Sequence, residues 1–108
     1  FKNAGQICIA SKRMYIHEDV YEPVMQAMAA YAETVRVGDG SEQGTQIGPV
    51  QNKAQYDRVL DLLNDAKANG YRIVTGGDVS AGQGYFIPVT IIDNPPEDAR
   101  IVQVMASV

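Results

Sequence analysis

The chain has one cysteine, one histidine and no tryptophan in 108 residues. A lone cysteine leaves no internal disulfide and no thiolate set for structural zinc. With His17 the only imidazole, a metal centre would rest on carboxylates that show no ligand spacing, so no metal site is expected. Cations are also few: nine Lys and Arg against thirteen Asp and Glu give a net charge of −4 and a pI near 4.8. The densest cationic pair is Lys12-Arg13. A polyanion would meet net repulsion, and nucleic acid is not an expected partner. No apolar run approaches the roughly 18–20 residues that cross a bilayer, and Phe1-Lys2-Asn3 opens no secretory pattern. These absences lead us to expect no membrane association and a soluble, cytoplasmic protein. The chain also starts mid-pattern, without an initiator methionine or a linker, as expected of a piece of something longer.

What remains is ordinary globular material, with 45% hydrophobic and 20% charged residues. A chain of this length supports one modest core. Asn3 followed three residues later by Gln6 has capping-box spacing and predicts a short helical turn carrying Cys8 near its N-terminus. Arg13–Ile16 alternates and reads as a strand with Met14 and Ile16 on one face. Asp19 and Glu22 repeat the capping-box spacing. The stripe Val20, Val24, Met28, Tyr31 and Val35 then predicts an amphipathic helix that stops at Gly38.

The glycine-rich stretch from Gly38 to Gly48-Pro49 reads as a surface loop. A second helix is expected from about Gln51 to Asn69, burying Tyr56, Val59, Leu62, Leu63 and Ala66, with Gly70 as a left-handed cap. Tyr71–Val74 is a short strand stopped by Gly76-Gly77. Gly84–Ile92 is β-rich but interrupted by Pro88, and Ala99–Val104 offers a last strand. The order predicts an α/β domain, with helices packed on a mainly parallel or mixed sheet.

Chemistry concentrates on Cys8. A thiol attacks as its thiolate, which is a small fraction at neutral pH, so a nucleophilic Cys8 needs positive potential nearby. A helix N-terminus supplies only about 0.3–1 kcal/mol, and Lys12, one turn on, is the cation within reach. The competing reading is a buried small hydrophobe between Ile7 and Ile9.

Other candidates read as scaffolding. His17 and Glu18 are adjacent at a strand end and point apart. Asp57 and Asp61 flank Arg58 on a polar face. Gly76-Gly77-Asp78 and Gly82-Gln83-Gly84 precede no helix start and so are turns rather than phosphate cradles. Met14, Met25 and Met28 are core filling.

The run Phe1-Lys2-Asn3-Ala4-Gly5-Gln6-Ile7-Cys8-Ile9-Ala10, followed by Arg13, resembles the active-site cysteine signature of the aldehyde dehydrogenase superfamily. Val37-Gly38-Asp39-Gly40, Ile47-Gly48-Pro49-Val50, Gly76-Gly77 and Gly84-Tyr85-Phe86-Ile87-Pro88 are similar to later landmarks of its catalytic domain. The resemblance implies that residues 1–108 are a fragment of that domain, with the cofactor-binding domain absent.

It further implies that Cys8 is the nucleophile and that its backbone N–H forms part of the oxyanion hole. An aldehyde would be oxidised with NAD or NADP to a carboxylic acid, through a thiohemiacetal and a thioester. The family's oxyanion asparagine and general-base glutamate precede the cysteine and so would fall before Phe1. At the other end, Val104-Met105-Ala106-Ser107-Val108 departs from the family's glutamate pair and Phe-Gly-Pro. No cofactor-binding residue is therefore expected in this chain, and the isolated chain is expected to be inactive. A homo-oligomer is the expected assembly. The alternative is a folded interaction or structural fragment whose cysteine is inert.

Overall fold

The computed structural model describes residues 1–104. In chain order it has a 3-10 turn (Lys2–Gly5), α1 (Glu18–Thr34), α2 (Lys53–Ala68), β1 (Arg72–Thr75), β2 (Ile91–Asp93) and α3 (Arg100–Gln103). The α/β class expected from the sequence holds, with the helices packed around a small sheet.

α2 follows its pattern closely. Asn52 caps it by accepting from the Gln55 backbone N–H at 2.9 Å. Gly70, at φ 73, takes the left-handed conformation beyond its end. Leu62, Leu63 and Ala66 are buried, and Tyr56 and Val59 are partly so.

α1 departs from its pattern at both ends and in its buried face. The N-cap is His17, whose Nδ1 accepts from the Asp19 N–H at 3.3 Å. Asp19 and Glu22 therefore lie inside the helix, and Pro23 sits beyond the first turn, where it forgoes a helix hydrogen bond. Met25 and Ala32 are buried, with Tyr21 and Met28 packed beside them. Val20 and Tyr31, expected inward, are 50% and 61% exposed. Apolar residues occupy more than one stripe of α1, and periodicity does not specify which arc meets the rest of the chain. The helix ends at Thr34, short of Gly38, because Val37 is drawn into an extended parallel bridge with Ile47.

β1 and β2 pair antiparallel, with Arg72 opposite Asp93, Ile73 opposite Ile92, and a bulge between Ile73 and Thr75. Among the described residues the sheet itself is antiparallel, and parallel pairing is confined to the isolated Val37–Ile47 bridge outside it. Arg13–Ile16 is not a strand among the described residues. Its alternation survives only in part: Ile16 packs on the core and Tyr15 is 79% exposed, but Met14, expected on the inward face as core filling, is 57% exposed. Alternation selects an inward face, but a ladder also needs a neighbour.

From the Gly84–Ile92 run only its end joins β2, leaving Pro88 outside the ladder. Residues 100–103 form α3 rather than the expected last strand, since a short apolar run does not distinguish helix from strand. Met105–Val108, where the chain departs from the family ending, lie outside the described residues.

One cluster of the core joins Met25 and Ala32 of α1 to Ile91 of β2, with Ile16, Val74 and Val89 around it. Tyr21 donates its O–H to Asp93 Oδ1, and Arg72 Nη1 donates to Asp93 Oδ2 at 3.0 Å, so one carboxylate ties α1, β1 and β2 together. The Asp93 hydrogen bond raises the Tyr21 pKa above that of a free phenol, with partial burial adding to it. Gly76, at φ 74, abuts the Val89 carbonyl and the Thr90 side chain, where no Cβ fits.

Candidate active site

Cys8 does not sit at the N-terminus of a helical turn. Asn3, Ala4 and Gly5 have φ of 53°, 53° and 75°, so the segment before the cysteine is a left-handed turn. That conformation costs a non-glycine residue about 1–2 kcal/mol, and side-chain amides hold it. Gln6 donates to the Asn3 carbonyl twice, through its backbone N–H at 3.0 Å and through Nε2 at 3.2 Å. Asn3 Nδ2 donates to the Gln6 carbonyl at 3.0 Å. A capping box would have used these two side chains in the opposite sense, as acceptors from backbone N–H groups.

Ile7–Ala10 then forms a tight turn closed by Ala10 N–H donating to the Ile7 carbonyl at 3.0 Å. Cys8 lies at its exposed tip. Its backbone N–H donates to no protein group among the described residues. Ile9, expected as a buried neighbour in the competing reading, is 80% exposed.

Lys12 does not extend a helix from Cys8. Its Nζ turns back and donates to the Gly5 carbonyl at the base of the turn, and partial burial lowers its pKa from the usual lysine value. Gly5 is favoured here by its φ of 75°, and a Cβ on it would displace the Lys12 Nζ, 2.8 Å away. Arg13, the arginine of the cysteine signature, donates to the Val102 carbonyl at 3.2 Å and anchors the chain after the turn to α3.

Segments far apart in sequence converge beside this turn. The Gln51 N–H donates to Gln6 Oε1 at 2.8 Å, and the neighbouring Val50 N–H donates to the Tyr85 carbonyl at 2.8 Å. The Tyr85 ring lies against Tyr56 of α2 at a centroid distance of 5.5 Å. The cysteine run, the segment ending in Val50 and the Gly84–Phe86 segment are thus neighbours. Sequence reasoning marked all three but missed the hydrogen bonds that join them. The single available signal was Gln6, which was read as a cap.

The remaining candidates keep structural roles. His17 caps α1. Asp57 pairs with Lys53 at 2.6 Å and Asp61 with Arg100, so the two carboxylates have separate partners. The Arg100 hydrogen bond and charge hold the Asp61 pKa below the usual carboxylate range. Gly76 and Gly77 form a left-handed turn in which the Gly77 N–H donates to Thr90 Oγ1 at 2.9 Å. Asp78 pairs with Lys67 at 2.9 Å. Among the described residues no three His, Cys, Asp or Glu side chains gather to hold a metal, and no helix is long and apolar enough to cross a membrane.

The model of the aldehyde dehydrogenase family matches residues 1–104. The chain belongs to the aldehyde dehydrogenase family. It is 46% identical over 99 residues to a Pseudomonas sp. protein named "Probable aldehyde dehydrogenase", a match covering 92% of this chain and 20% of that protein. A solved variant of the Bacillus cereus aldehyde dehydrogenase superposes with a TM-score of 0.88 at 33% identity, over 95% of this chain and 21% of that one. The NAD+ complex of the same enzyme superposes with a TM-score of 0.84 at 34% identity, over 92% and 20% of the two chains. The chain therefore spans about a fifth of the length of these relatives.

One N-terminal N–H of α1 and one of α2 are engaged by His17 and Asn52, and the glycine turns at 76–77 and 82–84 lead into extended chain or loop rather than a helix.

Proposed function

We propose that the protein containing this chain oxidises an aldehyde to a carboxylic acid with NAD or NADP, and that Cys8 is its nucleophile. The observation that carries the reading is that one residue presents both an exposed thiol and a backbone N–H unengaged among the described residues, at the tip of a turn held by its neighbours. The Bacillus cereus relative, solved with NAD+, supports nicotinamide use in the family.

In the step assigned to this chain, the Cys8 thiolate attacks the carbonyl carbon and an S–C bond forms. The carbonyl π pair moves to oxygen, and the resulting oxyanion is met by the Cys8 N–H. NAD(P), when bound, supplies the hydride acceptor that turns this adduct into a thioester. Residues outside this chain would hold it, and its hydrolytic base would lie there too. A cytoplasmic, homo-oligomeric enzyme completes the proposal.

The test uses the full-length protein with propanal and NAD+ or NADP+. Reduced cofactor should appear, and Cys8→Ser should lower the rate at least about a thousandfold. Iodoacetamide should label Cys8 and abolish turnover in parallel. The isolated chain should give no reduced cofactor in the same assay. Wild-type turnover that survives in Cys8→Ser removes the cysteine from the mechanism and leaves the structural-fragment reading.

A further inference from the structure

We infer that Gln6 is a positioning residue that sets where the Cys8 sulfur stands relative to the rest of the domain. The inference rests on Cys8 being the nucleophile and goes beyond it by naming the group that places it.

Among the described residues, the Gln6–Gln51 hydrogen bond is the one that ties Phe1–Ala10 to a distant part of the chain, 45 residues away. It reaches the segment just before α2, itself held by the Tyr85 carbonyl through Val50. The other end of the same side chain works locally: Nε2 donates to the Asn3 carbonyl and helps hold the left-handed turn. Ala4 occupies a conformation that costs it about 1–2 kcal/mol, and Asn3, a residue type that visits it more readily, shares that geometry, so the turn depends on these bonds to persist.

The orientation of the amide follows from chemistry. The Gln51 N–H can only donate and the Asn3 carbonyl can only accept, so Oε1 must face the first and Nε2 the second. A carboxylate of the same shape keeps the outward acceptor and loses the inward donor. A thioether of similar length loses both. Cys8 is two residues away, and misplacing a reacting atom by about 1 Å can cost about a hundredfold in rate.

The experiment compares Gln6→Met and Gln6→Glu with the wild type in the full-length protein, measuring kcat, KM for propanal and the rate of Cys8 alkylation by iodoacetamide. Gln6→Met should lower kcat by about tenfold or more while KM stays within about twofold, and should change the alkylation rate. Gln6→Glu should fall between, because one of its two bonds survives. Its deficit should narrow as the pH is lowered and the new carboxyl gains a proton it can donate to Asn3, a signature that simple loss of packing would not produce.

The inference is overturned if both variants keep the wild-type kcat and alkylation rate. It is equally overturned if activity falls only in proportion to the folded fraction seen by circular dichroism. Should Gln6→Met fail to fold, Gln6→Glu and its pH profile decide. If the wild type oxidises no aldehyde, the enzymatic reading fails by itself, and a Gln6-dependent alkylation rate still supports the positioning.

Discussion

Around Cys8, three consecutive residues sit in left-handed geometry and polar side chains hold them there. In the body formed by α1, α2 and the β1–β2 pair, Leu62, Leu63, Ala66, Met25 and Ile91 leave water and the helices keep regular geometry. The first region bears local strain and exposes its thiol. The second draws its stability from apolar burial, about 25 cal/mol per Å². Such a division lets a reactive group stand on a surface without the fold depending on it, provided that the turn is tied to the body. Gln6 ties the turn to the segment before α2, and Arg13 ties the chain after it to α3.

Three substitutions probe that division. Leu62→Ala, at a fully buried side chain, should destabilise by about 2–5 kcal/mol in denaturant titrations, while Cys8 alkylation in the folded protein stays at the wild-type rate. A changed alkylation rate would mean that the two regions are not separable.

Tyr21→Phe removes the phenol that α1 donates to Asp93 and should cost about 1 kcal/mol at neutral pH. The folded-state pKa of Tyr21 lies above its ordinary value of 10.0. Its contribution is therefore fully present below pH 10 and is lost as pH rises through the folded value. Stability curves of wild type and variant should converge in that alkaline window. A gap unchanged there would show that the hydrogen bond was not the source.

The smallest effect should have the opposite sign. Ala4→Gly, which would weaken a regular helix, relieves a φ of 53°. It should leave stability unchanged or raise it by up to about 1 kcal/mol. A clear loss on unfolding would show that the left-handed turn is not strained, and would weaken the contrast between turn and body.

Much of the body could be read before any coordinates. α2 was legible because the Leu62-Leu63-Ala66 face and Gly70 agree locally on one helix, although its Asn52 cap was not read. The Gly76-Gly77 stop to β1 was legible for a similar reason, since two glycines in succession end a strand whatever lies nearby. α1 was less so: its apolar residues support two stripes, and its cap was a histidine. The Cys8 region was recognisable as a pattern of residues but not as a shape, because an Asn and a Gln three apart can bond the backbone in either sense.

By itself, then, the sequence determined that the chain's single cysteine lies inside a run shared with a family, and it determined the helix whose periodicity and glycine stop are local. Tertiary structure decided which arc of α1 faces Ile91, that residues 13–16 stayed irregular while 100–103 became a helix, and that Gln6 reaches Gln51. Those outcomes depend on neighbours distant in the chain, and local periodicity and capping carry no information about what a side chain meets 45 residues away.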